Sequence, residues 1–269
     1  MADGCKVIQA GEDPLKSKTP VRGYPSDLTL AGNVGLILED LAAALADRIA
    51  SNSAKVVARK EKLAAAHAKA RGALMAIARD GSGDAMHPLY ATRCINDAFG
   101  ADATYVSELA MNPAVMDLER PGQYLSHALS GGLGWGVPAG LGVQLAKPGE
   151  AVVACVGDGS HMFANPVAAH QVAEALGLPL LICVFNNGIW NAVRRAALNM
   201  YPDSDASKAN VMPLTSLRPS PDFAGIARAS RAHAEQVLHG QDLPAALERA
   251  KAAMKSGQPA LLDIAVRLP

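Results

Sequence analysis

The first fifty positions hold two patterned stretches. Residues 5–10, Cys-Lys-Val-Ile-Gln-Ala, read as a short strand, and after a Pro- and Gly-rich run through Gly32, residues 36–49 carry apolar side chains at helical spacing. One strand and one helix cannot bury their own apolar faces, so this piece is expected to pack on something else. Residues 54–79 repeat Leu63, Ala66, Ala70, Leu74 and Ile77 on one face with charged residues between them, which predicts a second helix, and Gly81-Ser82-Gly83-Asp84 breaks it. A domain boundary is expected near residue 85.

Beyond it, helical and short apolar segments alternate. The pattern predicts helices over 88–99, 166–176, 222–231 and 243–255, strands over 104–107, 151–156, 180–185 and 260–266, and a glycine-rich segment at 131–142. Alternation of this kind points to an α/β fold, a doubly wound parallel sheet with helices on both faces. In such sheets ligands sit beyond the carboxyl ends of the strands, so the loops after Val156 and Phe185 are where chemistry is expected.

Composition narrows the function. Of 269 residues, 25 are Lys or Arg and 25 are Asp or Glu, which leaves no sustained field for holding a nucleic acid or an anionic membrane surface. The basic cluster on the 54–79 helix reads as its solvated face. The apolar run 178–185 is far short of the ~20 residues a membrane span needs, and the start Met-Ala-Asp-Gly-Cys lacks the apolar region of a signal peptide, so a cytoplasmic protein is expected. Cys5, Cys94, Cys155 and Cys183 form no Cys-x-x-Cys pair, and the last two lie within apolar runs, as buried thiols do.

The strand ending at Val156 runs into Gly157-Asp158-Gly159-Ser160, and the next strand runs into Asn186-Asn187-Gly188. Glycines on both sides of an aspartate let backbone approach a phosphate while the carboxylate turns to a cation, and an amide oxygen from the neighbouring strand end completes the grip. The helix between them has Asn165 placed to cap it, Pro166 at its first position, Gly177 at its end, and Ala169, Val172, Ala173 and Leu176 set to face the sheet.

Gly-Asp-Gly, the 26 residues from Ser160 to Phe185, then Asn-Asn resembles the diphosphate and metal motif of thiamine-diphosphate enzymes. Upstream, Gly131-Gly132-Leu133-Gly134-Trp135-Gly136-Val137-Pro138-Ala139 is similar to the aminopyrimidine-contacting segment in the branch that contains acetolactate synthase and benzoylformate decarboxylase. The resemblance implies the thiamine-diphosphate-binding fold over residues 86–269. It implies Mg2+ held by Asp158, the side chain of Asn187 and the carbonyl of Ile189, with Gly157, Gly159 and Ser160 at the diphosphate. Leu133 becomes an apolar wedge under the bent cofactor, Gly131 and Gly132 lie beside its aminopyrimidine, and Met111 and Asn112 fall near the diphosphate. Trp190, Asn191, Ala192, Val193 and Ala196 line the pocket for a 2-keto acid. The implied activity is decarboxylation or carboligation.

By the same resemblance residues 1–50 match the last strand and helix of a middle domain, with 51–85 a helical linker. The pyrimidine-binding domain, whose glutamate activates the cofactor, has no counterpart in the chain. A separately encoded pyrimidine-domain subunit is therefore expected, in a homodimer or hetero-oligomer. The alternative is a catalytically inactive cofactor-binding fragment or interaction module.

Other readings of the same residues are weaker. Gly132-Leu133-Gly134 begins like a dinucleotide fingerprint, but Val137 stands where its third glycine belongs, and Ser160 sits in no Gly-x-Ser-x-Gly elbow. His127 and His161 flank the expected site as candidate proton carriers or as structural residues. Arg194-Arg195 reads either as an attractor of anionic substrate or as a solvated pair, and Trp135 and Trp190 as packing groups.

Overall fold

The computed structural model describes residues 3–20, 23–127 and 132–268. The chain divides into two compact units, Met1–Ala68 and Lys69–Pro269. In the first, β1 (Ile8–Gly11) and β2 (Leu28–Ala31) pair in parallel, Ile8 opposite Leu28, and α1 (Val34–Ser51) begins where the Asn33 side chain accepts the Leu36 N–H at 3.3 Å. Leu36, Leu38, Leu41, Leu45 and Ile49 of α1 all remain exposed. The alternation in Leu-Thr-Leu-Ala was the mark of β2, hidden in a Pro- and Gly-rich run.

α2 (Ser53–Asp80) starts in the first unit and ends in the second. Its last turns belong to the second unit because Ala78 is buried with Leu89 and Val115, and Arg71 donates to the Ala114 carbonyl and to Asp117, each at 2.7 Å. The division therefore falls inside α2, upstream of the glycine-rich break near residue 85.

In the second unit α3 (Pro88–Phe99), β3 (Thr104–Glu108), β4 (Tyr124–Ser126), α4 (Gly136–Ala146), β5 (Val152–Gly157), α5 (Asp158–Phe163), α6 (Pro166–Ala175) and β6 (Leu181–Asn186) follow in order. After them come α7 (Asn191–Met200), α8 (Asp205–Lys208), α9 (Phe223–Ala229), β7 (His233–Val237), α10 (Leu243–Lys255) and β8 (Ala260–Ala265). The six strands form one parallel sheet in the order β4-β3-β5-β6-β8-β7. Successive side chains of a strand point to opposite faces, so Val153, Cys155, Leu181, Cys183 and Leu262 join α3 and α10 in one core. Val152, Ala154, Val156, Ile182 and Leu261 join α4, α6 and α9 in the other. Burial on both faces is why these strands read as unbroken apolar runs. Cys155 and Cys183 lie opposite each other in register, fully buried.

β3 leads to β4 on one side and β5 leads to β6 on the other, so the winding reverses between β3 and β5. That reversal opens a crevice at the strands' carboxyl ends.

Two local expectations need correction. Asn165 stands at the start of α6 in a left-handed conformation, φ 51°, and its side chain makes no capping bond. The buried face of α6 is Ala169, His170 and Ala173, while Val172 and Leu176 are exposed, because α6 lies against α4 and α9 as well as toward the sheet.

Gly140 and Gly142 on α4 give a paired test of this packing. A Cβ on Gly140 would lie 2.9 Å from the Ala154 Cβ, whereas one on Gly142 would meet nothing within 4 Å. Helix propensity favours alanine by about 1 kcal/mol at either place, but overpacking costs about 1–3 kcal/mol where a central strand cannot move. Urea unfolding should show Gly142→Ala stabilised by up to about 1 kcal/mol and Gly140→Ala destabilised by about the same amount.

Candidate functional site

Parallel register makes the site. Gly157 pairs with Phe185 across β5 and β6, so the chain leaves the two strands side by side and delivers Asp158 and Asn187 to the same crevice. Asp158 opens α5 and is only 3% exposed. Its Oδ1 accepts the Gly159 N–H at 2.8 Å and its Oδ2 accepts the Gly188 N–H at 2.7 Å, which ties one loop to the other. Burial pushes the Asp158 pKa above the ordinary carboxylate range, and the N–H groups of Gly159, Gly188 and Asn187 oppose that shift. Among the described residues Asp158 enters no salt bridge.

The two asparagines divide their work. Asn186 turns inward and donates to the buried Asp263 on β8 at 3.0 Å, and Gln236 of β7 holds the other oxygen at 3.1 Å. Asn187 lines the crevice, its Oδ1 accepting the Ile189 N–H at 3.0 Å. The Ile189 carbonyl accepts the Asn191 N–H at 2.9 Å and retains a second lone pair.

These groups wall a cleft of about 200 Å³ with Leu133, Gly157, Gly159, Ser160, Trp190, Asn191, Ala192 and Val193. A second hollow of about 330 Å³, bounded by His87, Met111, Asn112 and Phe185, shares Leu109, Gly157, Asn187, Asn191 and Arg195 with it. Trp190 is wall rather than core. A Cβ on Gly159 would lie 2.0 Å from its ring, so only glycine fits there, and Phe163 meets the ring edge-on at 5.5 Å. Trp135 packs on the core between the sheet and α4, α6 and α9.

Of the arginine pair, Arg195 borders both hollows and Arg194 neither. Ala196 is exposed on α7 outside the lining set, Gly132 is exposed beside Leu133, and Gly131 lies outside the described residues. Leu109 had no signal in the sequence. It holds φ 60°, a left-handed conformation rare for a branched side chain, directly after β3. Glu108, fully buried at the end of β3, was also missed, since an acid just past the expected 104–107 strand reads as an ordinary polar position.

The sequence model of the family described as thiamine pyrophosphate enzyme, C-terminal TPP binding domain, matches residues 107–264. The chain belongs to that family. It is 30% identical over 167 residues to a benzoylformate decarboxylase of Pseudomonas aeruginosa, covering 61% of this chain and 29% of the relative. A probable acetolactate synthase large subunit of Methanocaldococcus jannaschii is 29% identical over 54% of this chain and 23% of its own. Among solved structures, the thiamine diphosphate-dependent 4-hydroxybenzoylformate decarboxylase of Rhodococcus jostii superposes with a TM-score of 0.60 at 28% identity, over 70% of this chain and 34% of that one. The chain thus spans about a third or less of the length of these relatives.

The residues fit a hard divalent cation and the diphosphate end of the family's cofactor. The donors are a carboxylate without a cationic partner, a carboxamide oxygen and a carbonyl, the oxygen set such ions take. No group of three or more His, Cys, Asp or Glu side chains offers a different metal site among the described residues. The first-turn N–H groups of α5 have no intrahelical acceptor, that of Gly159 being held by the Asp158 side chain, and glycine at 157 leaves room for an anion to approach the others.

Neither candidate histidine lines the cleft. His127 is half-buried after β4, and its Nδ1 has no hydrogen-bond partner among the described residues. His161 is fully buried, 3.4 Å from His170 between ring nitrogens and edge-on to Phe223 at 5.2 Å. Burial lowers the pKa of His161 to about 3, helped by His170, and that of His170 to about 4. The unfolded chain takes up both protons below about pH 6.5 while the folded chain refuses them until about pH 4 and below, so acid favours unfolding. Unfolding free energy should fall with pH between 6.5 and 4 at a slope approaching about 1.4 kcal/mol per pH unit for each imidazole. Urea titrations at several pH values should show His170→Leu shallower than the wild type by about one such increment; equal slopes contradict the assignment.

Proposed function

We propose that the chain is the diphosphate-binding part of a thiamine-diphosphate- and Mg2+-dependent decarboxylase or carboligase acting on 2-keto acids, working in the cytoplasm. The observation that carries this is the pairing of Asp158 and Asn187 on adjacent parallel strand ends, linked by the 2.7 Å bond from Gly188 to Asp158.

In this reading Asp158, the Asn187 carboxamide and the Ile189 carbonyl hold Mg2+, and the first turn of α5 receives the diphosphate. Ion binding exchanges the cost of a buried, unpaired carboxylate for coordination, so it stabilises the fold. Leu133 and Trp190 give the cleft its apolar walls and exclude water, while Asn191, Ala192 and Val193 bound the space for the keto acid. Arg195 lines that space and draws the substrate carboxylate. When bound, thiamine diphosphate supplies the electron sink that lets carbon dioxide leave. His161, buried against His170 and Phe223 and absent from the cleft lining, is assigned a packing role in this reading.

A separately encoded pyrimidine-domain subunit completes the enzyme, with residues 1–50 as a middle-domain remnant and 51–85 as a linker, in a homodimer or hetero-oligomer. The exposed apolar residues of α1 support a role for the first unit in assembly. The same exposure suits the second reading, a cofactor-binding fragment without activity.

Co-expression with a neighbouring reading frame for a pyrimidine-type domain separates the two. Carbon dioxide release from pyruvate or benzoylformate with Mg2+ and thiamine diphosphate is expected, falling by about a hundredfold or more in Asp158→Ala. No turnover on any 2-keto acid, or turnover indifferent to Asp158, refutes the enzymatic reading.

A further inference from the structure

Glu108, like Asp158 and Asp263, is a carboxylate buried without a cationic partner among the described residues. It is 0% exposed at the end of β3, and none of the salt bridges among the described residues includes it. Its two oxygens are taken by backbone: Oε1 accepts the Gly134 N–H at 2.7 Å and Oε2 the Gly136 N–H at 2.5 Å. α4 begins at Gly136, and Trp135 before it contributes no side-chain cap. Glu108 therefore caps α4 from a different strand, and the positive end of the helix offsets the burial of the charge.

The turn it holds has no slack. Gly134 has φ 93°, and a Cβ there would lie 2.6 Å from the Phe163 carbonyl oxygen. A Cβ on Gly136 would lie 2.6 Å from Val156 and 3.0 Å from the Glu108 Cβ. Leu133 is the residue immediately before this clamped turn, and its side chain is part of the cleft wall. The ion and diphosphate groups, Asp158 and Asn187, hang from β5 and β6 and make no bond to Glu108.

We infer that Glu108 is a positioning residue that fixes Leu133 against the ring-bearing part of the cofactor, separately from the grip on ion and diphosphate. The inference rests on the reading of the cleft as a thiamine-diphosphate site. A single amide in place of the carboxylate can accept one of the two N–H groups but turns an NH2 toward the other.

The test compares wild type, Glu108→Gln and Leu133→Ala as the whole chain. Each is titrated calorimetrically with inorganic pyrophosphate plus Mg2+ and with thiamine diphosphate plus Mg2+, and amide exchange is followed at Gly134, Gly136 and Gly188. Glu108→Gln should keep pyrophosphate affinity within about twofold, weaken thiamine diphosphate about tenfold or more, and speed exchange at Gly134 and Gly136 but not Gly188. Leu133→Ala, which leaves the clamp intact, should show the same ligand selectivity with unchanged exchange. Parallel loss of both ligands in Glu108→Gln, no loss of either, or no effect of Leu133→Ala overturns the inference while leaving the cofactor reading in place. Failure of the wild type to take up either ligand overturns the cofactor reading and this inference with it.

Discussion

The buried carboxylate of Asp158 sets the terms for everything around it. A charge taken out of water without a counter-ion costs several kcal/mol, and two backbone N–H groups recover only part of that. The protein accepts that cost at Asp158 in the crevice where the sheet's winding reverses, where the carboxylate faces a cleft instead of being closed in by its donors. Glycine before and after Asp158, the bond from Gly188, and the ring of Trp190 lying where a Gly159 side chain would be are all arrangements that keep this carboxylate fixed and poor in partners. Such a group is poised for a cation brought in with a ligand.

The scaffold explains the placement. β5 and β6 are central, apolar on both faces, and locked in register from Val153–Leu181 to Gly157–Phe185. Their ends cannot drift, and so neither can the loops they carry. The next tier of support is polar and also buried: Asp263 holds Asn186 from β8, and Glu108 holds the turn beyond Leu133. Each carboxylate answers to backbone or amide donors, which leaves the cleft itself poor in fixed charge apart from Asp158 and Arg195.

How much of this could be read from the chain follows from burial. Central strands announce themselves because both faces are apolar, so β3, β5, β6 and β8 were legible. The edge strands β4 and β7 were not, since Tyr124–Ser126 is three residues long and His233–Val237 carries Glu235 and Gln236 toward solvent and Asp263. Asp158 and Asn187 were legible from glycine context and spacing. Glu108 and the His161–His170 pair were not, because their partners are backbone amides 26 and 28 residues away and a ring on a different helix. Asn165 and Leu176 misled for a related reason: local rules gave α6 a cap and an apolar stripe, and its small Ala169–Ala173 face decided the packing instead.

The most direct measurement is calorimetric titration of inorganic pyrophosphate into the chain, with and without Mg2+, for the wild type and Asn187→Ala. Uptake by the wild type that requires Mg2+, and its loss when the Asn187 carboxamide is removed, is the outcome this account predicts. Equal uptake with and without the ion, or unchanged ion dependence in Asn187→Ala, would contradict it.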